Sequence, residues 1–94
     1  MIIEAEVSLY PLRTESLSPP IDDFIAHLKE SGLQVQPGPM SSWVTGELTE
    51  VFSALTDAFS AVAARWHNVL VIKVSNACPS ADHQIWNSRT AIVD

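Results

Sequence analysis

Met1-Ile2-Ile3-Glu4-Ala5-Glu6-Val7-Ser8-Leu9-Tyr10, closed by Pro11, is the stretch that decides the fold. Side chains along a strand alternate between its two faces. Ile3, Ala5, Val7 and Leu9 fall on one side, and Glu4, Glu6, Ser8 and Tyr10 on the other. Such alternation marks a half-buried strand. The apolar side needs helices to cover it. The polar side lines up two carboxylates, a hydroxyl and a phenol, and is where a ligand would be met. An antiparallel sheet can equally leave such a side simply wet.

Outward from this strand, Ser18-Pro19-Pro20 is a helix start, with Ser18 as the expected cap and proline where no N–H is needed. Ile21, Phe24, Ile25 and Leu28 recur at helical spacing, and Gly32 is the expected stop. Leu33 to Gln36 is a short strand. Pro37-Gly38-Pro39 is a turn, and Met40 to Gly46 is a third strand, so the two form a hairpin. A second helix follows, with Thr49 as its expected cap and Leu48, Phe52, Leu55, Phe59, Val62 and Trp66 as a core stripe. Phe24, Phe52 and Phe59 are read together as core. His67-Asn68 is expected to turn the chain into a fourth strand, Val69 to Ser75. Residues 80–94 form a C-terminal extension, an edge strand or an oligomer contact, beyond a domain spanning 1–79.

The order strand, helix, strand, strand, helix, strand predicts an α+β, ferredoxin-like βαββαβ sandwich. Its four-stranded antiparallel sheet carries two helices on one face and leaves the other uncovered. The chain has 94 residues, 47% of them apolar, enough for one small core. Five basic and eleven acidic residues give a net charge of −6, which argues against nucleic acid and anionic membranes as partners. No run approaches eighteen apolar residues, so no membrane span is expected. The start lacks the basic and apolar runs of a signal peptide. The single cysteine, Cys78, fits a reducing compartment. The expected location is cytoplasmic.

Several segments resemble one known family. Ala5-Glu6-Val7-Ser8-Leu9-Tyr10-Pro11-Leu12 is similar to its opening strand, and Lys29-Glu30-Ser31-Gly32-Leu33 to its first-helix exit. Gly38-Pro39-Met40-Ser41-Ser42-Trp43-Val44-Thr45-Gly46-Glu47 resembles its central segment, and Val71-Ile72-Lys73-Val74 its last strand. These are the small, YkoF-like thiamine-binding proteins, which bind thiamine and its hydroxymethylpyrimidine moiety. The resemblance covers roughly residues 1–76. It implies a ferredoxin-like fold, a homodimer or homotetramer, and a bound small molecule, with no further cofactor. Ser42 stands where the family usually has threonine and keeps a hydroxyl. Thr45 stands where it usually has glutamate, so a carboxylate is lost there. Trp43 is bulkier than the usual aliphatic residue.

An aminopyrimidine offers a flat face, an amine donor and ring-nitrogen acceptors, and thiamine adds a cation that aromatic faces favour. Glu6, Ser8, Tyr10, Ser42, Trp43 and Thr45 are the expected ligand-binding residues. Glu6 would accept from the amine, Ser8 and Ser42 would pair with ring nitrogens, and Tyr10 or Trp43 would stack. Ser42 and Trp43 are adjacent, so both line one sheet face only if a bulge intervenes. His27, His67 and His83 are too scattered for a metal motif, and Cys78, Asp82 and His83 lack the remaining ligands of a zinc site. The expectation is a non-catalytic binding protein whose site lies on the open sheet face at a subunit interface. The alternatives are a small dimeric enzyme, of the cofactor-free monooxygenase or isomerase type, and a purely structural oligomer.

Overall fold

The computed structural model describes residues 1–77. The extension expected over 80–94, and the Cys78, Asp82 and His83 group, lie outside the described residues. The elements are β1 (Ile2–Leu12), α1 (Ser18–Glu30), β2 (Gln34–Pro37), β3 (Ser42–Glu47), α2 (Leu48–Ala63) and β4 (His67–Ser75). They form one antiparallel sheet in the order β2-β3-β1-β4. With both helices packed on the same side, this is the ferredoxin-like arrangement that the order of elements predicts.

The alternation of β1 carries through to the packing. Ile3, Ala5 and Val7 are buried with Val44 of β3, Phe24 and Leu28 of α1, and Val51, Leu55, Ala58 and Val62 of α2. Burying each large side chain of this set contributes about 1.5–3 kcal/mol. The register places Ala5 across from Val44 and Val7 across from Ser42. On its other side β1 sets Val7 across from Ile72 and Leu9 across from Leu70. The apolar residues of neighbouring strands therefore share the helix-covered face.

The structure corrects several local expectations. Pro11 does not close β1, which runs on to Leu12. The pairing with β3 ends at Val7–Ser42, so Pro11 sits where β1 has a neighbour on one side only, as a strand proline requires. Ser18 is the first residue of α1 rather than its cap. The cap position is Leu17, which makes no side-chain bond. Two prolines in the first turn remove N–H groups that a cap would otherwise satisfy. Gly32 ends α1 with φ 84°, as expected. β2 and β3 lie one to two residues later than expected, and Pro37 ends the edge strand β2. His67 and Asn68 are not a turn: they pair with Leu12 and Pro11 as the first residues of β4.

The start of α2 also differs. Glu47, not Thr49, is the cap, and its carboxylate accepts from the Thr49 backbone N–H at 2.9 Å and the Thr49 hydroxyl at 2.6 Å. These bonds to the Thr49 hydroxyl and N–H hold the Glu47 carboxyl below its ordinary range. Phe52 is 41% exposed and does not join the core. Its place in the stripe is taken by Val51 and Ala58, which the helix turns inward with Leu55 and Val62. The small Ala54 and Ala58 let α2 lie close on the sheet.

Gly46 is fixed by packing. It pairs with Ile3, and a Cβ there would fall 2.6 Å from a Leu33 side-chain carbon and 3.3 Å from one of Val51. Gly46→Ala is therefore expected to lower unfolding free energy by about 1–3 kcal/mol through overpacking, as read by urea denaturation. An unchanged midpoint would show that Leu33 can swing aside. Glu47 gives a pH signature. Its folded pKa is depressed, so its stabilisation is present above the ordinary value of 4.5 and is lost as pH falls through the folded value. The stability gap between wild type and Glu47→Gln should close on acidification below that range, as followed by thermal unfolding across pH.

Candidate ligand-binding face

The helices cover one side of the sheet, and the register arranges the other in rows. Glu4 stands between Thr45 of β3 and Ser75 of β4. Glu6 stands between Trp43 and Lys73, Ser8 across from Val71, and Tyr10 across from Val69. On the outer side, β2 adds Gln34 beside Thr45 and Gln36 beside Trp43. The face is thus polar toward β2 and β3, where the central strands carry acids and hydroxyls. It is apolar toward the far end of β4, where Val69, Val71, Tyr10 and Leu12 are all well exposed.

Between these two halves the face holds a hollow of about 210 Å³, lined by Glu6, Ser8, Tyr10, Ser41, Val71 and Lys73, with Met40 at its rim. The floor is β1 and β4, and the wall is the hairpin loop 38–41. The Ser41 hydroxyl donates to Glu6 Oε2 at 2.8 Å, which ties that loop to the central strand. Lys73 stands across from Glu6 and supplies the cationic side of the hollow. Opposite charges facing each other across strands stabilise the pairing modestly. A carboxylate, two hydroxyls, a phenol and an ammonium, set against Val71 and Met40, can hold a small flat molecule by its polar edge while an apolar surface takes its face.

Of the six residues expected from sequence, Glu6, Ser8 and Tyr10 come together in this hollow. Trp43 shares the open face and lies across from Glu6, outside the lining. Thr45 lies one row further, and its hydroxyl donates to Glu4 Oε2 at 3.4 Å. Ser42 is not brought to them. It pairs with Val7 on the helix side and is buried. No bulge rescues it, because β1 and β3 pair without a break from Ile2–Glu47 to Val7–Ser42. The open-face hydroxyl of the hairpin is Ser41, one residue earlier.

Ser41, Lys73, Val71 and Met40 were missed. Alternation from Trp43 already puts Ser41 on the open side, but Lys73 and Val71 needed the β1–β4 register. Glu4 was missed as well. It lies on the open side of β1 yet is fully buried, and its Oε2 accepts from the Thr45 hydroxyl. No group of three metal-ligating side chains occurs among the described residues.

Comparison with known proteins bears on this face. A sequence profile of the family described as thiamine-binding protein matches residues 5–79. A hypothetical protein from Methanocaldococcus jannascii shares 27% identity, with 97% of this chain and 95% of that one covered and a TM-score of 0.77. A Bacillus cereus domain of unknown function is 21% identical over 97% of this chain and 93% of its own, with a TM-score of 0.76. A Thermotoga maritima protein with a proposed role in thiamine biosynthesis or salvage is 17% identical, covers 95% and 100% of the two chains, and has a TM-score of 0.79. The last two, at such identity, speak to the fold alone. Comparison with curated proteins gives no match. With most of β1 through β4 inside the matched segment, the chain belongs to the thiamine-binding protein family.

Proposed function

We propose that this protein binds thiamine or its hydroxymethylpyrimidine moiety, without catalysis, in the hollow on the open sheet face. The observation that carries this is the convergence of Glu6, Ser8, Tyr10, Ser41 and Lys73 around one small cavity on the sheet face turned away from α1 and α2. Glu6 is the acceptor for the exocyclic amine. Ser8 and Ser41 are within the same lining to meet ring nitrogens, and Tyr10 offers the face on which the ring lies. Membership of the thiamine-binding protein family supports the assignment.

The cavity is smaller than the roughly 300–1,000 Å³ of a complete ligand pocket. Beside it Tyr10, Leu12, Val69 and Val71 form an apolar band, each 41–49% exposed. Contiguous apolar surface of this kind marks an interaction site. In this reading a second copy packs its own open face there and closes the cavity, giving a homodimer or a homotetramer. The domain boundary near residue 79, with an extension beyond it, belongs to the same reading. So does a cytoplasmic location, where the ligand would be buffered or delivered. No helix among the described residues is long and apolar enough to cross a membrane.

Calorimetric titration of thiamine and of hydroxymethylpyrimidine into the folded protein should give saturable heat. Glu6→Gln should weaken binding by about tenfold to a hundredfold, the loss of a hydrogen bond to a charged group. No heat from either compound would sink the assignment. Val71→Lys, which places a charge in the apolar band, should shift the sedimentation coefficient toward the monomer without changing the circular dichroism. An oligomer unaffected by Val71→Lys would move the interface elsewhere.

A further inference from the structure

Lys73 is the member of the open-face hollow whose charge the chain itself leaves unused. Its ammonium makes no ion pair and no hydrogen bond among the described residues. The ion pairs that form there lie elsewhere, between Met1 and Glu47 and from His27 and Arg65 to Asp23. Glu6 stands directly across from Lys73, and residues paired in this way have Cα atoms only about 4.5–5.5 Å apart. The two charges nevertheless do not close to ion-pair distance. Ser41 supplies the reason. Its hydroxyl donates to Glu6 Oε2 at 2.8 Å and draws the carboxylate toward the hairpin loop, on the side of β1 away from β4.

An isolated surface lysine is ordinarily just solvated. This one lines a concave site together with a carboxylate that is held away from it. The hollow therefore has two sides of opposite sign, an anion toward β3 and a cation toward β4. A complementary ligand carries a donor and an anion on neighbouring atoms. The pyrimidine placed here above has its amine on the ring carbon next to the one that bears the methylene group. With the amine on Glu6 and the adjacent ring nitrogen toward Ser41, that methylene points toward β4 and Lys73. What it carries then decides the fit. A thiazolium brings a second cation to the ammonium, and like charges repel. An alcohol is neutral. A phosphate monoester is an anion that lysine meets as a point charge.

We propose that Lys73 makes the β4 side of the hollow an anion subsite and sets its specificity. The preferred ligand is an aminopyrimidine whose methylene, next to the amine, carries a phosphate monoester, and the thiazolium-bearing form is discriminated against. The inference rests on the open-face reading and refines it, since it assigns a role to Lys73 that the ring contacts of Glu6, Ser8 and Tyr10 do not require.

The test is calorimetric titration of the whole protein with hydroxymethylpyrimidine, its phosphate monoester and thiamine. The ester should bind about tenfold more tightly than the alcohol, the lower end for a hydrogen bond to a charged group because Lys73 is exposed. Thiamine should bind more weakly than the ester. Lys73→Gln should abolish the preference for the ester and raise the affinity for thiamine about twofold to fivefold, as removal of an exposed like charge does. Lys73→Arg should keep the preference. These changes of opposite sign separate a specificity role from a structural one: a loss shared equally by all three ligands in Lys73→Gln overturns the proposal. Displacement of the ester by an equal concentration of inorganic phosphate overturns it too, because the site would then recognise a bare anion. Equal affinity of ester and alcohol for the wild type overturns this proposal alone and leaves the open-face reading standing. No heat from any of the three overturns both.

Discussion

Two helices can cover only one face of a four-stranded sheet, and the rest of the molecule follows from that limit. α1 and α2 bury Ile3, Ala5, Val7 and Val44. Every residue of opposite parity in the same strands is left facing away from them. An uncovered face of this size is either wetted or occupied. Here it is divided, with acids and hydroxyls around Glu4 and Glu6 and an apolar band around Val69 and Val71. Neither plain solvation nor plain packing accounts for both halves.

A second constraint is the unequal length of the central pair. β1 has 11 residues and β3 has 6. β4 keeps company with β1 as far as Leu12, while β3 stops at Val7. The hairpin loop must fill the difference, and it does so between the two faces. On one side Ser41 bonds Glu6 and walls the open hollow; on the other the loop roofs a recess beside α1. One short connection therefore shapes concave surface on both sides. Gly46 belongs to the same hairpin, where the absence of a side chain lets Leu33 and Val51 close over Ile3.

The electrostatics fit binding of a small polar molecule better than binding of a polyanion. A net charge of −6 is spread with few basic residues, and Lys73 is the one cation in the lining of the open-face hollow among the described residues. Glu6 is shared between the Ser41 hydroxyl and the cavity, so a ligand amine would meet a carboxylate already oriented by a hydrogen bond. Orientation of a polar group before the ligand arrives lowers the entropy lost on binding.

By itself the sequence determined the elements, their order and the division of β1 into two faces. Those depend on local rules: the two-residue period of a strand, the helical spacing of Phe24, Ile25 and Leu28, and glycine where the backbone turns left-handed at Gly32. Glu6, Ser8 and Tyr10 were legible as a set because alternation along a single strand needs no partner. Tertiary structure decided what depends on pairing between distant segments. The β1–β4 register brought Lys73 and Val71 to Glu6 and Ser8, and the same pairing kept Pro11, His67 and Asn68 within strands. Packing decided which helix residues turned inward, so that Phe52 lies outside and Val51 within. It also placed Ser42 and Trp43 on opposite faces, because a strand without a bulge cannot turn neighbours the same way. A side chain's chemistry is written in the chain, but the company it keeps is set by register and by which face the helices cover.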